Sequence, residues 1–284
     1  MKIAVDQILE SGDSDGIVKV SLSDWNGFCF KFPRKQISSM KNYGEIVGNP
    51  AVYLLIGEQD MKSVCYVGET DDSVVRMAQH NSDDYWNEAL IFIGSKDFPL
   101  NKARIKYLEN LLYVEAKKAS ENTGRYEILN GNTPKQSPLS EGDEIKASYF
   151  FDHLKTICSV LGYKVFDSFI EENEISDNSE NDLFVIKRGE ADARMRITDE
   201  GFVVLKGSKT SSFFTNKTTE CFKATGKKMR DEGIIVNNTF ARDYLFKSCS
   251  GAAVIVLGHN SNGRTEWKNS KGKSIKELEE EKMK

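Results

Sequence analysis

The amino-acid sequence predicts an α+β protein with two domains. Two apolar runs of strand length, 51–56 and 64–67, flank a polar stretch and predict a hairpin. Apolar residues recur at helical spacing between 101 and 118 and predict a long helix. The segment 136–144 has the composition of a linker, and a chain of 284 residues is long enough to hold two separate cores.

Residues 1–47 are predicted to form a small N-terminal β appendage. Polar and apolar residues alternate with a period of two in 16–22 and again in 27–32, which indicates two strands. The tripeptide Trp25-Asn26-Gly27 between them suits a hairpin turn. A short helix is expected at 37–43.

Residues 48–135 are predicted to form the first domain. After the hairpin, Asp72 or Ser73 is a good N-cap for a helix. Residues 88–94 are apolar and predict a third strand, and Asn101 is the expected N-cap of the long helix. The simplest assembly is a small three-stranded antiparallel sheet flanked by helices.

Residues 145–284 are predicted to form a second, mixed α/β domain. An amphipathic helix is expected at 145–161, and the polar, acidic stretch 171–182 is typical of an exposed loop. The remaining expected elements are strands at 163–170, 183–186, 193–197 and 201–205, a basic helix at 217–231, a helix or strand at 251–257, and a charged helix at 273–284.

Composition excludes several classes of protein and site. No apolar run approaches the length of a membrane span, and the N-terminal residues lack the features of a signal peptide, so we expect a cytoplasmic location without membrane contact. The five cysteines form no C-x-x-C pair, which argues against a disulfide framework and a zinc site. Three histidines are too few to favour a multi-histidine metal site.

The net charge of −4 hides an uneven distribution. Residues 185–275 contain 17 Lys and Arg against 9 Asp and Glu, a net charge of +8, whereas residues 136–184 carry −8. On the predicted basic helix, Lys223, Lys227 and Arg230 share one face, which predicts contacts to nucleic-acid phosphates. The alternatives are a solvated face, or one that docks on the acidic loop 171–182.

Four short motifs follow one another in the predicted first domain. They are Ala51-Val52-Tyr53, Tyr66-Val67-Gly68, Arg76-x-x-x-His80 and Tyr107-Leu108-Glu109. This ordered series resembles the GIY-YIG nuclease family over roughly residues 50–135, with Ala in place of the first Gly and Val in place of Ile. The fold that the resemblance implies is the small sheet described above.

The resemblance implies a role for each motif residue. Tyr53 would be the general base or would position water, and Tyr66 would orient the site or contact phosphate. Arg76 would grip a phosphate, and His80 would position the water or relay a proton. Glu109, rather than its neighbours Glu115 and Glu121, would bind Mg²⁺ or Mn²⁺. A phenol is a poor base at neutral pH, so Tyr53 would need a nearby cation or metal-bound oxygen to lower its pKa, which Arg76 and His80 could supply.

The resemblance implies one further site residue, and the position of a lysine suggests another. The family has an asparagine after the glutamate that holds the site together by hydrogen bonds. Asn130 is the favoured candidate, and Asn122 and Asn132 are its rivals. Lys102, at the start of the glutamate helix, is a candidate for contacting the substrate backbone.

A second resemblance covers residues 185–280. The segments 201–208, 250–253 and 262–268 resemble an uncharacterised module that is often found after GIY-YIG domains. This resemblance implies a domain boundary and no mechanism.

These features predict a metal-dependent endonuclease that hydrolyses phosphodiester bonds, with DNA as the favoured substrate. RNA and branched or single-stranded DNA remain open, as do a protein partner and a homo-oligomer. One alternative is a nucleic-acid-binding protein with a degenerate nuclease site. Another is a regulatory protein whose C-terminal domain binds protein.

Overall fold

The computed structural model describes residues 2–59, 62–168 and 183–282. It divides into two compact units, Met1–Asp167 and Ser168–Lys284. The first contains a seven-stranded mixed sheet and the second a five-stranded antiparallel sheet, which confirms the predicted α+β class. The division lies at residues 167 and 168, after the helix that was expected to open the second domain.

The first unit is built on one continuous sheet. Its strands are β1 (Val5–Leu9), β2 (Val18–Leu22), β3 (Trp25–Pro33), β4 (Ala51–Gln59), β5 (Lys62–Thr70), β6 (Glu88–Ile93) and β7 (Tyr126–Ile128). Its helices are a 3₁₀ helix (Arg34–Asn42), α1 (Ser73–His80), α2 (Lys102–Thr123) and α3 (Glu141–Val160). The strand order is β1-β2-β3-β6-β4-β5-β7, antiparallel except for the parallel pair β5–β7.

The sheet is larger than the three strands expected from the sequence. The predicted antiparallel set is present as β6-β4-β5, but the N-terminal strands extend it because β3 pairs with β6 along six residues from Phe28 to Pro33. Cys29 is buried on one face of β3, and Phe30 and Phe32 on the other. A strand buried on both faces belongs inside a sheet, so residues 1–47 are part of the first core.

The turn between β2 and β3 lies earlier than predicted. Trp25, Asn26 and Gly27 are already in β3, and the two turn residues are Ser23 and Asp24. The Trp25 ring covers Gly27, where an added Cβ would lie 2.2 Å from the ring, so only glycine leaves room for it.

Alternation along the strands divides the first core into two layers. Val52 and Leu54 face α2 and α3, whereas Tyr53 and Leu55 face the layer formed by α1 and the 3₁₀ helix. Helix α3 contributes Phe150 to the first of these layers. The segment 136–144 therefore leads into a helix of the same unit.

The second unit is built on a smaller, five-stranded sheet. Its strands are β8 (Leu183–Arg188), β9 (Ala191–Thr198), β10 (Gly201–Val204), β11 (Ile235–Val236), β12 (Thr239–Phe240), β13 (Tyr244–Phe246) and β14 (Lys268–Asn269). Its helices are α4 (Glu220–Asp231), α5 (Cys249–Leu257), α6 (Gly263–Glu266) and α7 (Ile275–Lys282). The sheet order is β13-β10-β9-β8-β14, and β11 pairs with β12.

The structure decides two expectations for the C-terminal half. The segment 251–257 is helical, as part of α5, and each of its residues is buried. No strand forms at 163–168, where Val165 and Phe166 instead pack in the first core. The rest of that expected strand, and the acidic loop 171–182, lie outside the described residues.

Within the described ranges, every helix is either too short or too polar to cross a membrane.

Candidate active site

The hairpin places the first motif tyrosine against the second motif glycine. Tyr53 in β4 lies directly opposite Gly68 in β5. The Tyr53 side chain is fully buried, and a Cβ added at Gly68 would lie 2.2 Å from its Cζ and 2.3 Å from its hydroxyl oxygen. Only glycine leaves room for the ring at this position, which gives a steric reason for the spacing of the two tripeptides.

Helix α1 brings two side chains to the hydroxyl of Tyr53. Its N-cap is Asp72, one of the two predicted candidates, whose carboxylate accepts hydrogen bonds from the amides of Val74 and Val75. Because Arg76 and His80 are four residues apart, they lie on one face. Arg76 Nε donates to the Tyr53 hydroxyl at 2.9 Å, and His80 Nε2 lies 2.9 Å from the same oxygen.

The proton positions follow from the partners of His80. Its Nδ1 lies 2.8 Å from a carboxylate oxygen of Asp83, which only accepts hydrogen bonds, so Nδ1 carries the proton. Nε2 is then an acceptor for the Tyr53 hydroxyl. Burial lowers the pKa of His80, and this outweighs the rise caused by Asp83. The ring is therefore neutral at pH 7.

The pKa of Tyr53 moves in the opposite direction from the sequence-based expectation. Burial raises it, and the hydrogen bond and positive charge of Arg76 offset only part of that rise. Tyr53 therefore keeps its proton at neutral pH. The ring of Tyr66 lies beside this pair, with its centroid 6.3 Å from that of Tyr53 and 5.3 Å from that of His80.

Glu109 approaches the site from α2. It is half-buried, and burial together with the negative charge of Glu69 raises its pKa to about 7, against the opposing effects of Arg76 and Lys102. A carboxylate in this environment is stabilised by a nearby cation. The donors present, two carboxylates at the rim of an open cleft, suit a hard divalent ion that keeps several water ligands.

The cleft beside Glu109 has a volume of about 430 Å³ and lies between α1, α2 and the end of β5. Lys102 lines it, but its ammonium group already contacts Glu69 at 3.1 Å and Asp71 at 2.7 Å. In the part of the chain that the structure describes, no three His, Cys, Asp or Glu side chains are grouped as a metal site. An ion held by Glu109 and Glu69 would take its remaining ligands from water.

Asn130 is the candidate asparagine that bonds to the site strand. Its Oδ1 accepts from the Val67 amide at 3.0 Å, and its Nδ2 donates to the Val67 carbonyl at 2.8 Å. Val67 separates Tyr66 from Gly68, so Asn130 fixes the strand that carries both. Of its two rivals, Asn122 lies at the end of α2 and Asn132 is exposed.

The predicted phosphate-binding face lies on α4, in the second unit. Lys223 pairs with Glu220 at 2.7 Å, and Lys227 is exposed. Arg230 is partly buried; its guanidinium lies 5.5 Å from the Phe214 ring centroid and donates to the Gly226 carbonyl. Of the three, Arg230 has a structural role and Lys227 is the one that is exposed to solvent.

The comparisons with known proteins bear on this second unit. Residues 184–279 match a domain of unknown function, DUF4357. The match confirms the uncharacterised module expected at 185–280, and it does not extend to the motif residues of the first unit. Neither the curated proteins nor the solved structures contain a match to this chain.

Sequence reasoning missed two residues of the site. Glu69 directly follows Gly68 and shares the cleft with Glu109. Asp83 lies three residues after His80 and hydrogen-bonds to it. Both residues lie within three positions of a motif residue, and this proximity in the sequence is the signal that could have indicated them.

Proposed function

We propose that the first unit is a metal-dependent phosphodiester hydrolase of the GIY-YIG type, acting on nucleic acid and preferentially on DNA. The observation that carries the proposal is the convergence of Arg76 and His80 on the hydroxyl oxygen of Tyr53. Glu109 faces the same cleft as Arg76. Arg76 thus links Tyr53 of β4 with the cleft that Glu109 of α2 lines, and this arrangement supports the proposal.

The chemistry follows from what each group can donate or accept. Arg76 is charged and lines the open cleft, so it can bind a phosphodiester oxygen there. Glu109, with Glu69, would hold the divalent ion, which when bound stabilises negative charge on the phosphate and on the leaving oxygen. We assign Tyr53 and His80 as the pair that removes a proton from the attacking water.

The second unit would add affinity for the phosphate backbone. Within its DUF4357 match, residues 185–275 carry a net charge of +8, whereas residues 50–135 have a net charge of −3. Each phosphate neutralised by Lys or Arg releases counterions and strengthens binding without reading sequence. We propose Lys227, rather than Arg230, as the phosphate contact on α4.

The test is incubation of the purified full chain with end-labelled single- and double-stranded DNA and RNA, in Mg²⁺, Mn²⁺ or EDTA. Metal-dependent cleavage that is lost in Glu109→Gln supports the proposal. Glu121→Gln is the matched control, because it changes an exposed glutamate on the same helix α2. Binding of nucleic acid without cleavage by the wild-type protein would instead support the degenerate-site alternative.

A further inference from the structure

The segment after α1 folds back on the helix end and carries a carboxylate to His80. The backbone amide of Asp83 donates to the His80 carbonyl at 3.0 Å, and its side chain reaches Nδ1 of the same residue at 2.8 Å. The indole Nε1 of Trp86 also donates to the His80 carbonyl, at 2.8 Å. His80 is therefore held through its main chain and its ring by the segment that follows it.

An arginine from the N-terminal part of the chain fixes this segment from outside. Arg34 Nη2 donates to the Asn81 carbonyl at 2.7 Å, and Nη1 donates to the Trp86 carbonyl at 3.3 Å. Its guanidinium also lies 5.2 Å from the centroid of the Trp86 ring. Trp86 is fully buried, so both ends of the segment are anchored and Asp83 has a defined position between them.

We propose that Asp83 is a positioning residue that holds His80 as the Nδ1–H tautomer, so that Nε2 can accept the proton of Tyr53. This inference rests on the proposed nuclease function. The four groups then form one directed chain, because Arg76 donates to Tyr53, Tyr53 donates to His80, and His80 donates to Asp83. Because a carboxylate only accepts hydrogen bonds, Asp83 fixes the direction in which the four groups donate.

Each proton that moves during hydrolysis can be followed along this hydrogen-bonded chain of side chains. Tyr53 passes its hydroxyl proton to Nε2 in the same step in which it takes a proton from the attacking water, whose oxygen bonds to phosphorus. Tyr53 is then again a phenol beside Arg76, and His80 is an imidazolium beside Asp83. The bond from phosphorus to the leaving sugar oxygen breaks, that oxygen keeps the electron pair and takes a proton from solvent, and His80 returns its proton to solvent.

The proposal predicts a change that a purely structural role of Asp83 would not produce. In Asp83→Asn the side chain keeps its size but gains an NH₂ donor, so the Nδ1–H tautomer is no longer enforced. We expect kcat to fall by about 10²–10⁴-fold while KM changes by less than about threefold, because Asp83 is not among the residues that line the cleft with Arg76 and Glu109.

The tautomer can be measured without any substrate. The chain has three histidines, so ¹⁵N-histidine labelling of the full chain gives a spectrum in which His80→Gln assigns the His80 ring. The wild type and the control Asp6→Asn, an exposed carboxylate on β1, should show the Nδ1–H tautomer. Asp83→Asn should show the Nε2–H form or a mixture.

The possible outcomes separate the role of Asp83 from the proposed nuclease function. An Asp83→Asn protein with the wild-type tautomer, or with a changed tautomer and wild-type kcat, overturns the role of Asp83 alone. A wild-type protein that shows the Nδ1–H tautomer but cleaves no nucleic acid overturns the proposed function, and the relay falls with it.

Discussion

The contact between Gly68 and Tyr53 allows one substitution to be predicted in detail. In Gly68→Ala the new Cβ would lie 2.2 Å from Cζ of Tyr53, well inside van der Waals contact. The ring cannot rotate away cheaply, because it is fully buried and its hydroxyl bonds to Arg76 and His80. Overpacking of this kind costs about 1–3 kcal/mol in free energy of unfolding.

The assay is thermal or denaturant unfolding of the full chain, together with cleavage of DNA. For a unit of this size, each kcal/mol should lower the melting temperature of the first unit by about 2–4 °C. Activity should also fall, since the displaced ring loses its two partners. Gly131→Ala is the control, because nothing lies within 4 Å of a Cβ at that position.

A double-mutant cycle tests whether the cost comes from the proposed contact. Tyr53→Leu removes the atoms that would collide with the added methyl group, so introducing Gly68→Ala into that variant should cost almost nothing further. The coupling energy should then be about 1–3 kcal/mol. A single Gly68→Ala variant that unfolds within about 0.5 kcal/mol of the wild type would refute the steric account.

Three further predictions concern Glu109, the N-cap of α1 and the basic helix. Since the folded pKa of Glu109 is about 7, above its ordinary 4.5, the protein in EDTA should lose stability as pH rises between these values, by on the order of 1 kcal/mol after solvent screening. Glu109→Gln should abolish this loss of stability. A Glu109→Gln variant whose stability depends on pH as that of the wild type does would contradict the prediction. Asp72→Ala should destabilise α1 by about 1 kcal/mol, measured by hydrogen exchange, whereas Asp72→Asn should stay near the wild type. Arg230→Ala should lower the stability of the second unit by about 1–2 kcal/mol, while Lys227→Ala should leave stability unchanged and reduce the log–log salt slope of duplex DNA binding by about 0.9.

Local signals in the sequence were sufficient for the elements that carry the site. The hairpin, the Asp72 cap, the helix from Asn101 and the shared face of Arg76 and His80 all depend on residues within a few positions of one another. Such short-range effects act in any fold that the chain adopts, so they can be predicted without knowing it.

Electrostatic environment could not be predicted in the same way. The cation beside Tyr53 was expected to lower its pKa, but the burial that raises it comes from β5, α1 and the 3₁₀ helix together. Likewise, Arg230 and Lys227 look alike in sequence, and the contacts of Arg230 with Phe214 and with the Gly226 carbonyl separate a structural arginine from an exposed lysine. Desolvation depends on all neighbours in space, most of which are distant in the chain.

The sequence by itself determined the α+β class, the C-terminal module and the set of chemically capable side chains. Tertiary structure decided that β3 joins the sheet through β6, that α3 belongs to the first unit, and that Asp83 completes the contacts of His80. Strand pairing, core membership and the loop clamped by Arg34 are long-range contacts. Their free energy depends on surfaces brought together only on folding, and no local pattern of residues encodes it.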